Sequence, residues 1–145
     1  MQKGVDYPGI TVTYVCHDGV GNILMQKRGI NCRDENGTWD TGGGGLELHD
    51  TVEETLRKEI AEEYKTDVLG FDFLGYRDVH CENNGVKTHW LALDFKVLVD
   101  RDKAQNGEPH KFDAIGWFAK DSLPSPLHSQ LPFYFEKYKK ELWQA

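Results

Sequence analysis

The sequence predicts a mixed α/β layered domain. Three features carry that prediction: alternating apolar runs on both sides of a central segment, one helix-periodic stretch over residues 51–64, and an amphipathic tail over residues 129–142. Strands on either side of one internal helix, with a second helix at the end, bury their apolar faces most simply as layers around a sheet.

Each element has its own signal. "ITVTYVC" (residues 10–16) places Val12, Tyr14 and Cys16 on one side, the alternation of a strand. "HDGVGN" follows as a turn, and "ILMQKR" (23–28) reads as a second strand. "GINCRDENG" is polar and loop-like, and Trp39 then leads into the glycines Gly42, Gly43, Gly44 and Gly45. The segment 51–64 predicts a helix with Asp50 or Thr51 as N-cap, acids (Glu53, Glu54) in the first turn, and a Val52–Leu56–Ile60 stripe. "LGFDFLGYRDVH" (69–80) and "THWLALDFKVLV" (88–99) read as strands joined by the Asn-Gly turn of "ENNGVK". In the second of these, Leu91, Leu93, Phe95, Val97 and Val99 share a face. "AIGWFA" (114–119) is a short strand, and "SQLPFYFEKYKKEL" (129–142) is a closing helix that starts near Pro132.

The bulk numbers narrow the function. At 145 residues, 39% hydrophobic and 28% charged, the chain is expected to be one globular domain over 1–145. A net charge of −7 argues against duplex nucleic acid as a partner, because proteins that grip a phosphate backbone by charge are basic. A phosphorylated small molecule remains compatible if a divalent cation lies between it and the protein. The three cysteines include no CxxC pair and read as reduced thiols of a cytoplasmic protein. "MQKGVDYPG" lacks the apolar centre of a signal peptide, no apolar run is long enough to span a membrane, and the six histidines show no zinc-ligand spacing.

The helix carries the chemical signal. With Val52 at zero and about 100° per residue, Leu56 falls near 40°, Ile60 near 80°, Glu59 near 340°, Glu63 near 20° and Glu62 near 280°. Glu63 therefore lies within the apolar stripe and Glu59 beside it, whereas a solvated acidic face would lie opposite the stripe. Like charges four residues apart repel, and burying an unpaired carboxylate is costly. Lys58 is poorly placed to neutralise all three acids. A bound divalent ion would do so, and oxygen ligands suit Mg²⁺ or Mn²⁺. The glycines just before the helix let backbone approach such a ligand closely.

At this point residues 44–66 resemble the box of the Nudix family: G, five residues, E, seven residues, then R-E-hydrophobic-x-E-E-x-G-hydrophobic. Gly44 opens it; Glu59, Ile60, Glu62 and Glu63 match. Asp50 stands at the first Glu, Lys58 at the Arg, and Lys65 and Thr66 at the final Gly and hydrophobic residue. "GTWDTGGGGLE" upstream and "GWFAKDSLP" downstream also resemble the family.

The resemblance implies a Nudix-type α/β/α sandwich with a mixed sheet and a loop-helix-loop metal site. It implies hydrolysis of a nucleoside diphosphate linked to another group, with Mg²⁺ or Mn²⁺ as cofactor. By position, Gly43 (through its carbonyl), Glu59, Glu62 and Glu63 would be metal ligands. Arg28, Trp39 and Glu47 would serve the substrate. The general base would be Glu62 in the box or Glu108 in "NGEPHKFDAIGWF", with Asp113 as another loop acid and His110 as a further contact. A small-molecule nucleotide substrate and a homodimer, common for the fold, complete the expectation. The departures at Lys58, which cannot grip bidentately, and at Lys65 leave an alternative of another class: a silent nucleotide-binding module on the same fold.

Overall fold

The computed structural model describes residues 1–143. Seven strands form one mixed sheet: β1 (Gly9–His17), β2 (Asn22–Arg28), β3 (Trp39–Asp40), β4 (Gly43–Gly45), β5 (Val68–Asn83), β6 (Val86–Val99) and β7 (Phe112–Ala119). Helix α1 (Val52–Tyr64) covers one face; α2 (Leu131–Lys137) and α3 (Lys139–Trp143) cover the other.

The alternation of β1 builds both layers. Val12, Tyr14 and Cys16 pack with Leu24, Leu56, Ile60 and Tyr64 on the α1 side. Val15 packs with Ile23, Met25, Leu131, Tyr134 and Tyr138 on the other side. The sheet is thus buried on both faces, as the α/β/α sandwich requires.

Strand registers position the site. β1 runs parallel to β6 from Gly9↔Trp90 to His17↔Leu98. On its other edge, β1 meets β2 only at Cys16↔Leu24 and His17↔Ile23, while its opposite end, Thr11–Thr13, pairs with Gly43–Gly45. β2 likewise leaves β1 and takes β3 at Gln26↔Asp40 and Lys27↔Trp39. The two central strands therefore splay apart, and residues 39–45 fill the wedge.

The glycine run, expected to be a loop, instead contributes a strand at Gly43–Gly45. Glycine is intrinsically poor in strands, but here it is required: a Cβ at Gly43 would lie 2.7 Å from the Val12 carbonyl oxygen. Helix α1 begins as expected, with the Thr51 hydroxyl accepting from the Glu54 N–H at 3.1 Å. It ends on Lys65 in the left-handed conformation, φ 53°, a place that favours glycine. The β5–β6 hairpin turns through Asn84 (φ 52°) and Gly85 (φ 78°), the predicted Asn-Gly turn. The tail is two helices broken at Tyr138, with Pro132 in the first turn of α2. Among the described residues no helix is long and apolar enough to cross a membrane.

Candidate functional site

The wedge between β1 and β2 opens into a cavity of about 410 Å³. Thr13, Gln26, Arg28, Gly43, Glu63 and Arg77 are among its walls. This volume suits a small organic ligand.

Glu63 sits at the floor, 4% exposed. Its Oε1 accepts from the Tyr14 hydroxyl at 2.5 Å and its Oε2 from the Gln26 side-chain amide at 2.9 Å. Burial lifts its pKa to about 7; the two hydrogen bonds oppose that rise, and Glu108 and Glu59 add to it. Glu59 is half-buried, and its pKa is also raised, by burial first and then by Glu62 and Glu108, with Lys58 and Lys111 pulling the other way. A Cβ at Gly44 would fall on the carboxyl carbon of Glu59, so the absence of a side chain there admits this acid.

Glu108 arrives from a separate loop, and the way it is fixed is specific. Gly107 donates its N–H to the Glu63 carbonyl at 2.8 Å, and Gln105 donates to the Tyr64 carbonyl at 2.8 Å. A Cβ at Gly107 would collide with the Glu62 carbonyl oxygen, so glycine lets the loop dock on the end of α1. Asn106 braces the loop, accepting from the Glu108 N–H at 3.1 Å and donating to the Phe112 carbonyl at 2.8 Å. Glu108 is half-buried rather than a free surface acid.

The structure draws Glu59, Glu63 and Glu108 into one electrostatic group, with Gly43 lining the same cavity as Glu63, while Glu62 stays exposed at the edge. Among the described residues the triads whose ligand atoms lie within 4.8 Å of one another are found elsewhere, so the three box acids do not converge on one point. The donor set nevertheless fits a hard divalent ion: anionic oxygens crowded in a partly buried place, each disfavouring the other's charge. The buried Gln26 Oε1, without a hydrogen-bond partner among the described residues, adds an orphan acceptor on a residue of the same cavity.

Other expected contacts lie differently. Arg28 lines the cavity, but its guanidinium is already held by the Asp34 carboxylate at 2.9 Å and by Asp40 at 3.5 Å. Trp39, expected against substrate, packs edge-to-face on Phe118 with centroids 5.2 Å apart in the α2-side core, and does not line the cavity. Its large apolar ring is worth more buried there. Glu47, also expected at the substrate, is exposed and 3.8 Å from the Lys3 ammonium. His110 and Asp113 are exposed.

Sequence reasoning missed Tyr14 and Gln26, the partners of Glu63, and the buried ion pair formed by Arg77 of the cavity wall with Asp94 behind it. Arg77 binds Asp94 bidentately at 2.8 and 2.9 Å. Asp94 also accepts from the Thr13 hydroxyl at 2.5 Å and the Tyr138 hydroxyl at 2.7 Å, and the Arg77 guanidinium lies 4.6 Å from the Tyr134 ring centre. The signal was present as lone polar residues inside apolar strand runs: Gln26 in "ILMQKR" and Asp94 in "LALDFKVLV".

Comparison with known proteins identifies the family and the fold. A sequence model of the NUDIX domain matches residues 8–139. An RNA pyrophosphohydrolase of Gluconacetobacter diazotrophicus is 28% identical over 121 residues, covering 72% of each chain. A nucleoside triphosphatase of Enterobacter is 30% identical over 95 residues, covering 60% of this chain and 65% of that one. Among solved structures, a MutT NUDIX hydrolase from Burkholderia pseudomallei superposes with a TM-score of 0.79 at 28% identity, covering 91% of this chain and 98% of the other.

Proposed function

This chain belongs to the Nudix family and is a hydrolase of phosphoanhydride bonds, and from that premise we propose that it cleaves the diphosphate linkage of a nucleotide-derived small molecule with the help of Mg²⁺ or Mn²⁺. The observation that carries the proposal is the electrostatic group of Glu59, Glu63 and Glu108, of which Glu63 lines a cavity of nucleotide-compatible size. The named relatives act on RNA or on nucleoside triphosphates by their descriptions, which supports a phosphoanhydride as the bond broken.

In this reading Glu59, Glu63 and the Gly43 carbonyl would hold the ion, with Glu62 turning in from the edge to complete the set. Held by these residues, a divalent ion would supply charge neutralisation for a diphosphate and a lowered pKa for a bound water. Tyr14 and Gln26 fix the Glu63 carboxylate, so that its oxygens need no reorganisation. Of the two candidate bases, the docked and half-buried Glu108 is better held for proton transfer than the exposed Glu62. Arg28 and Lys111, both on the cavity wall, supply positive charge to phosphate oxygens, Arg28 after exchanging one of its carboxylates for substrate. A cytoplasmic setting, in keeping with the free Cys16, Cys32 and Cys81, and a homodimer that covers the exposed Phe73 on edge strand β5, belong to the same reading.

The test is a substrate panel: nucleoside triphosphates, ADP-ribose, dinucleoside polyphosphates, nucleotide sugars and 5′-capped RNA, each with Mg²⁺ or Mn²⁺, read as released phosphate and nucleoside monophosphate. Turnover of at least one member, lost by a factor of about 10² or more in Glu108→Gln or Glu63→Gln, is expected. Tight binding without turnover on the whole panel would instead mark a silent nucleotide-binding module.

A further inference from the structure

On the far side of the β5–β6 hairpin, three side chains meet that the diphosphate chemistry does not use. His80 and His89 are directly opposite each other in the antiparallel register. Their imidazoles stack with centroids 4.2 Å apart and an interplanar angle of 28°. Asp78, two residues before His80 and so on the same strand face, places Oδ1 2.9 Å from His89 Nε2. One donor atom from each of the three lies within 4.8 Å of the other two.

We propose that Asp78, His80 and His89 form a binding site for a borderline divalent transition-metal ion, with Zn²⁺ as the representative. Two imidazoles and one carboxylate are the ligand set such ions take, and Mg²⁺ does not favour imidazole. Ligand bonds of about 2.0–2.2 Å put donors about 3.3–3.5 Å apart around a tetrahedral ion, so the three atoms need shift by no more than about 1.5 Å through side-chain rotation. Three protein ligands leave a fourth position open to water or to an incoming donor, and the site is accessible because Asp78 and His80 are exposed.

The second triad of this kind, Asp34, Glu35 and His128, is already committed: Asp34 to Arg28, and Glu35 to Ser129 and His128. In the hairpin triad, among the described residues, the single side-chain hydrogen bond is that between Asp78 and His89. Turning the two rings out of their stack, so that one nitrogen of each faces Asp78 Oδ1, brings the three donors to a common ion at this site. It also reaches the cavity, because the alternating neighbours Val79, Cys81, Thr88 and Trp90 line the wall on the opposite side of the same hairpin. An ion across the strands pins that wall.

The untagged full chain is titrated with Zn²⁺ by calorimetry in saturating Mg²⁺, which occupies the box acids. One Zn²⁺ per chain is expected, weakened at least tenfold in His80→Gln and abolished in His80→Gln/His89→Gln, with uptake unchanged in Glu59→Gln. Circular dichroism confirms that the variants fold, and amide exchange over residues 78–90 should slow on adding Zn²⁺ to the wild type alone. Absence of Zn²⁺ uptake by the wild type, or equal uptake by the double histidine variant, overturns the proposal. Loss of uptake only in Glu59→Gln would assign the ion to the box and overturn it equally. None of these readouts depends on turnover, so the diphosphatase reading and this site fail separately.

Discussion

Replacing Glu63 by Gln in the metal-free protein tests the electrostatic core of the site. Burial holds the Glu63 carboxyl at a pKa of about 7, against an ordinary 4.5. Each pH unit is worth about 1.4 kcal/mol, so keeping this group ionised in the folded state costs about 3 kcal/mol, to the nearest order. The sign follows from proton counting: between pH 4.5 and about 7 the folded chain keeps a proton that the unfolded chain has released. The stability tied to this group is therefore complete below pH 4.5 and is lost as the pH rises through about 7. The glutamine of the variant carries no such charge. Its carbonyl oxygen accepts from Tyr14 as before, and Gln26 turns its amide so that the now unpartnered Oε1 receives the N–H of the new side chain. Urea denaturation in EDTA at pH 5 and pH 8 reads the outcome. With a slope of about 2 kcal/mol per molar urea, the wild-type midpoint should fall relative to Glu63→Gln by on the order of 1–2 M between the two pH values. Parallel pH dependences for the two proteins would refute the buried-carboxylate argument. Activity should meanwhile drop by about 10² or more, separating stability from function at one residue.

Three further outcomes are expected. Lys65→Gly relieves a left-handed backbone at φ 53° and should raise stability by about 1 kcal/mol, measured as a higher melting temperature with unchanged turnover. Gly107→Ala drives a methyl group into the Glu62 carbonyl, displacing Glu108 from the end of α1; kcat should fall about tenfold or more, with a smaller change in KM. Arg77→Ala leaves Asp94 buried with only the Thr13 and Tyr138 hydroxyls, costing about 3–5 kcal/mol in chemical denaturation, and Arg77→Ala/Asp94→Ala should recover part of it.

Most strands and α1 were legible because one-dimensional patterns report them. The alternation of Val12, Tyr14 and Cys16 and the Val52–Leu56–Ile60 stripe both hold in the structure. The angular argument that set Glu63 inside the apolar stripe also holds: that residue is 4% exposed. What was illegible depends on which strand lies beside which. The glycine strand β4 is made by its pairing with β1, where a Cβ at Gly43 would meet the Val12 carbonyl, and nothing local announces it. Trp39 sits in a candidate region by sequence but finds Phe118 from a strand nearly eighty residues on. The histidines showed no metal spacing along the chain, yet hairpin register sets His80 against His89. Arg77 and Asp94 meet for the same reason.

The parallel pairing of β1 with β6 has a consequence for how the molecule is made. A ribosome releases Gly9–His17 long before residues 90–98, so the first strand waits with one edge open while most of the polypeptide is still being synthesised. The glycine strand leans on the other edge of that same ribbon, and the wedge it fills cannot set until the partner arrives. Contacts this distant along the chain slow folding. Nascent chains stalled before residue 90 should therefore remain sensitive to protease and in need of a chaperone, and those stalled well beyond it should not.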